Sequence, residues 1–97
     1  RKRSDENSAV KVWDTVLEQV GRKYATMPNR QFAQSRAAYI TEALKIVCEA
    51  MDRLIPEGQT PDVLTERAIS RVLEKIAGLV EVPSTLVALE LMHMRRR

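Results

Sequence analysis

RQFAQSRAAYITEALKIVCEAMDRL, residues 30–54, is the stretch that decides the fold class. Ala33, Ala37, Ile40, Leu44, Val47, Met51 and Leu54 recur at alternating steps of four and three, the a/d spacing of a helical seam. A second series, Phe32, Tyr39, Ala43, Ile46 and Ala50, runs beside the first. Two adjacent apolar stripes predict a helix buried against two or more neighbours. Arg36, Lys45, Glu49, Asp52 and Arg53 are left for an exposed strip. The wide face can be filled by other helices of the same chain, or in part by another subunit.

Working outward, Gly21, Pro28, Pro56, Gly58, Pro61, Gly78 and Pro83 are the only Gly and Pro residues, and the segments between them carry helical periodicity with no period-2 pattern. The chain therefore reads as all-α, a small bundle of four helices spanning about 8–26, 30–54, 61–79 and 84–94, with residues 30–54 as the long central one. Residues 1–7 read as a flexible basic and polar tail, and residues 8–97 as one helical domain. Ser8 or Asn7 is placed to cap the first helix, whose apolar stripe is Val10, Trp13, Val16, Leu17, Val20 and Tyr24. Gly21 weakens that helix by about 1 kcal/mol relative to alanine, and marks either a close helix approach or an early end. Asn29 is the candidate cap of the second helix. Thr60, ahead of Pro61 and Asp62, is the candidate cap of the third. Leu64, Ala68, Ile69, Val72, Leu73 and Ile76 are its core residues, and Arg67, Arg71 and Lys75 form a short basic strip at four-residue spacing.

In the last helix, Leu86, Val87, Ala88, Leu89, Leu91, Met92 and Met94 are interrupted only by Glu90 and His93. A helix apolar on every side needs cover on every side. Three helices of a small domain cover only part of it, so the remainder points to a contact with another molecule.

KIAGLVEVPSTLVALEL, residues 75–91, has the spacing of a helix-turn-helix DNA reader. With Ala77 as the small residue, Ile76, Val80, Val82 and Val87 fall on apolar positions. The glycine usual in such a turn is replaced by Glu81, and a later apolar position by Glu90. The groove-facing positions become Pro83, Ser84, Thr85, Ala88 and Leu89. Base edges are read by Arg, Lys, Asn or Gln, and none stands there. The stretch reads better as a tight helical corner whose second half wants a protein neighbour.

Composition narrows the class further. The chain has 97 residues, 16 Lys+Arg and 13 Asp+Glu, a formal net of +3. Arg1, Lys2, Arg3, Arg95, Arg96 and Arg97 carry six of the positive charges, so residues 4–94 hold 10 basic and 13 acidic groups, a net of −3. Basic tips on a mildly acidic body are not the broad basic face of a nucleic-acid binder. No apolar run is long enough to span a membrane, and no secretory h-region is visible. The first residue is Arg1, which reads as a piece of a longer protein. Cys48 is the single cysteine, which fits a reducing, intracellular compartment, cytoplasmic or nucleus- or nucleoid-associated.

Chemistry-bearing constellations are sparse. Cys48 lies mid-helix among apolar residues and His93, the one histidine, lies near the far end, so nothing pairs a nucleophile with a base. One His and one Cys cannot build a four-ligand zinc site. The three glycines are isolated, which excludes a phosphate-cradling loop. The expectation is a non-enzymatic oligomerisation or protein–protein interaction module, dimeric, part of a larger regulatory or assembly protein, with no cofactor, metal, membrane or small-molecule substrate. Ile40, Leu44, Val47, Met51, Leu86, Leu89 and Met92 are the candidate contact residues. The alternative is a nucleic-acid-associated regulator that contacts phosphate or bases through Arg67, Arg71, Lys75, Ser84, Thr85, Arg95, Arg96 and Arg97.

Overall fold

Helix-forming segments separated by a few breakers fix the architecture. The computed structural model describes residues 2–96 as four helices: α1 (Lys2–Ala25), α2 (Ala33–Leu54), α3 (Val63–Val80) and α4 (Ser84–Arg95). There is no strand among the described residues, and none of the helices is long and apolar enough to cross a membrane. Arg1 and Arg97 lie outside the described residues.

Boundaries differ from the periodicity at several ends, each for a local reason. The backbone of α1 is helical back to Lys2, beyond the Ser8 start that the apolar stripe predicts. No Gly or Pro interrupts residues 2–9. Its C-terminal end is closed by Arg30. The guanidinium donates to the Ala25 carbonyl at 2.8 Å and stacks over the Tyr24 ring, 4.8 Å from its centroid. Asn29 does not cap α2. It takes a left-handed backbone (φ 53°) inside the turn, and α2 begins at Ala33 behind an uncapped Phe32. Residues 30–32 thus belong to the connection, which removes a turn from the expected helix. Asp62, not Thr60, caps α3: its Oδ1 accepts from the Thr65 N–H at 2.8 Å. That hydrogen bond from the Thr65 backbone holds the Asp62 carboxyl below its ordinary range.

α1, α2 and α3 run up, down and up and pack against one another, and α4 packs against α2 and α3. Tyr39, early in α2, donates its hydroxyl to the Val20 carbonyl late in α1 at 2.8 Å, so the two helices run antiparallel. The Tyr24 and Tyr39 rings meet edge to face at 5.5 Å. α3 runs beside α1 in the same direction. Gly21 lies within α1 and not at its end, and a β-carbon built there would stand 3.2 Å from Cε of the flexible Lys75 side chain. α2 and α3 each touch all three other helices, whereas α1 and α4 do not meet.

One continuous core results. Trp13, Val16 and Val20 of α1 meet Tyr39, Ala43, Leu44, Val47 and Ala50 of α2, and Ile69, Val72, Leu73 and Ile76 of α3. The buried face of α2 draws on both of its predicted stripes, while Ala33, Ala37 and Phe32 at its N-terminal end are exposed. Among the described residues, no polar or charged residue is buried. Each large aliphatic side chain in this cluster stabilises the fold by roughly 1.5–3 kcal/mol.

Candidate interaction surface

The corner that ends α3 sets the direction of α4. Glu81 takes the left-handed conformation (φ 61°, ψ 47°), and the Val82 N–H reaches back to the Ala77 carbonyl at 3.0 Å. This six-to-one bond is a Schellman cap, a geometry that glycine usually supplies. The missing turn glycine is therefore replaced in function by a strained glutamate. Pro83 then stands as the N-cap of α4, where its missing N–H costs nothing.

α4 divides into two faces. Val87 and Leu91, four residues apart, are buried against α3 and α2. Leu86, Leu89 and Met92, three apart, form a row on the opposite side and are 51%, 65% and 50% exposed. Glu90 and His93 border the row, and Arg96 extends it at the C-terminal end. The helix that the sequence makes apolar all round is thus covered on one side only.

The other candidate contact residues separate from this row. Ile40, Leu44 and Val47 are at most 9% exposed, filled in by α1, α3 and α4 of the same chain. They are core residues, and the wide face of α2 needs no second subunit to cover it. Met51 is half-buried against the core. Leu64, read from its spacing as a core residue, is exposed, as is Val10. Both line one hollow between α1 and α3.

The candidate nucleic-acid residues come from two helices, α3 and α4, and from the C-terminal end. Arg67, Arg71 and Lys75 are exposed along α3, and Ser84 and Thr85 are exposed at the start of α4. Lys75 lays its aliphatic stem over Gly21. Arg95 Nη1 is paired with Asp52 Oδ1 at 3.0 Å, which ties α4 to the end of α2. Arg96 is exposed, and Arg97 lies outside the described residues. Cys48 is half-buried near Arg95. Burial pushes its thiol up from the ordinary value, and the Arg95 guanidinium only partly offsets that. Among the described residues, no group of three His, Cys, Asp or Glu side chains is arranged to hold a metal ion.

Leu86, Leu89 and Met92, the contact candidates that the sequence offers on α4, are its bare half, and the i, i+4 pair of Val87 and Leu91 is the half that packs. Sequence reasoning missed the exposure of Leu64, whose spacing matches the core of α3. No protein-family model, no curated protein and no solved structure matches the chain.

Proposed function

We propose that this chain is a non-enzymatic helical module that self-associates through the exposed row of α4. The observation that carries the reading is that Leu86, Leu89 and Met92, contiguous on one face, are at least half exposed. Large aliphatic side chains gathered on one helix face mark a contact surface more often than isolated ones do. Methionine at its edge adapts to a partner's shape. Full burial of such a side chain is worth roughly 1.5–3 kcal/mol. Half of that surface is already covered, so a partner gains about 1 kcal/mol from each. The row alone supports weak association, once the entropy lost on binding is subtracted.

Light scattering over a micromolar concentration series tests this. The expected result is a mass above that of the monomer that rises with concentration, and a return to monomer with Leu89→Asp. A wild-type chain that stays monomeric throughout would refute it.

A nucleic-acid role is the second reading. The observation that favours it is the tight corner between α3 and α4, where Glu81 takes the left-handed conformation that a turn glycine usually supplies. The apolar outward face of α4 and the Arg95–Asp52 pair weigh against it. In a salt titration of duplex binding, specific recognition would survive moderate salt and depend on Ser84, Thr85 or Arg71. Binding by the basic tips would collapse with salt.

A further inference from the structure

The chain carries a second unpartnered apolar surface, on another side of the fold. Val10 and Leu17 of α1 and Leu64, Ala68 and Val72 of α3 line a hollow of about 170 Å³ between the two parallel helices. Val10 and Leu64 are 42% and 52% exposed. A cavity of about 150 Å³ holds a benzene ring, so this hollow has room for aliphatic side chains. Trp13 lines it too, and its buried Nε1 has no acceptor among the described residues. Asp14 stands on the α1 wall and Arg67 and Arg71 on the α3 wall, and none of the three is in an ion pair among the described residues.

We infer that this hollow receives the α4 row of a second copy of the chain, so that the molecules associate head to tail. This rests on the self-association proposed above and adds the surface that α4 meets. Dimensions agree: Leu86 to Met92 spans about 9 Å along its helix, and Leu64 to Val72 about 12 Å along the groove. A ridge seated between two helices also buries more of its surface than two convex ridges touching. Charges agree as well. Glu90 borders the row on one edge and meets the α3 wall with Arg67 and Arg71. Arg96, at the end of the row, is left for Asp14. A symmetric α4–α4 contact would set Glu90 beside its own copy and leave the α1–α3 hollow open. The head-to-tail contact covers both apolar surfaces with one interface. Because donor and acceptor surfaces differ, an open chain of copies ends in one free ridge and one free groove, and it extends as a filament unless its rotation closes it into a ring.

Complementation between two variants tests this. Leu89→Asp spoils the ridge and Leu64→Asp spoils the groove, and both sites are exposed enough for the fold to survive, which far-UV circular dichroism checks. Each variant alone should be monomeric, with association weakened at least tenfold. Mixed, they should form a one-to-one heterodimer and nothing larger, through the one intact ridge and the one intact groove. Arg71→Glu should weaken that heterodimer when placed on the chain that supplies the groove, and Glu90→Arg on the chain that supplies the ridge should restore it. A Leu64→Asp chain that associates like wild type, or a mixture of the two variants that stays monomeric, overturns this inference and leaves the α4 reading standing. A wild-type chain that is monomeric at every concentration overturns both.

Discussion

Leu44→Ala separates a core role for α2 from a role in contact with a partner. Leu44 is 0% exposed, enclosed by helices of its own chain. Truncation removes three buried carbons, about 2–2.5 kcal/mol at about 0.8 kcal/mol per methylene. The cavity left behind adds to this, because neighbours on three helices cannot all collapse into it, which brings the expected loss to about 3–4 kcal/mol. A domain of this size has roughly 5–15 kcal/mol of stability in total, so the variant should keep its fold with a much lower unfolding midpoint. Urea unfolding in a Leu89→Asp background gives the measurement free of association. The midpoint should fall with the slope unchanged, and by the same amount at every protein concentration. A loss below about 1 kcal/mol, or one that grows with protein concentration, would refute the assignment of Leu44 to the intrachain core.

Tyr39 should titrate far above an ordinary tyrosine, with its pKa pushed up to about 12 by burial and, second, by Tyr24. Its folded pKa is raised, so its contribution is complete below the ordinary value of 10.0 and is lost as pH climbs through about 12. Tyrosinate absorbance checks this by difference against Tyr39→Phe, which itself should cost about 1 kcal/mol through the lost bond to Val20. Glu81→Gly should raise stability by about 0.5–1 kcal/mol in thermal or urea unfolding, because it relieves a left-handed non-glycine residue. Gly78→Ala should stabilise by a similar amount, since a β-carbon there meets nothing within 4 Å and gains helix propensity. Cys48 should react with iodoacetamide more slowly in the folded protein than in urea at neutral pH, and equal rates would contradict its shielded placement.

Most of the fold was legible because its signals are local. The breakers Pro28, Pro56 with Gly58, and Pro83 separate four periodic segments, and the four helices lie where those segments do. Capping was less legible, since it depends on which of several adjacent polar residues reaches a free N–H: Asp62 does so where Thr60 was expected. The double stripe of α2 correctly announced a helix with several neighbours, but spacing cannot say whether those neighbours belong to the same chain. Leu44 and Val47 are fully buried within the core of their own chain. Leu64 shows the converse, an apolar residue in register with the core of α3 that is nonetheless exposed. The exposed row of α4 consists of the residues that the sequence offers there for contact, Leu86, Leu89 and Met92, with Val87 and Leu91 packed inward.

A dilution series followed by methyl nuclear magnetic resonance tests the central claim most directly. The account predicts that the methyl signals of Leu86, Leu89 and Met92 shift as the chain is diluted from high to low micromolar concentration, while those of Leu44 and Val47 stay fixed. Unmoved α4 methyls across that range, or shifts centred on Leu44 and Val47, would contradict it.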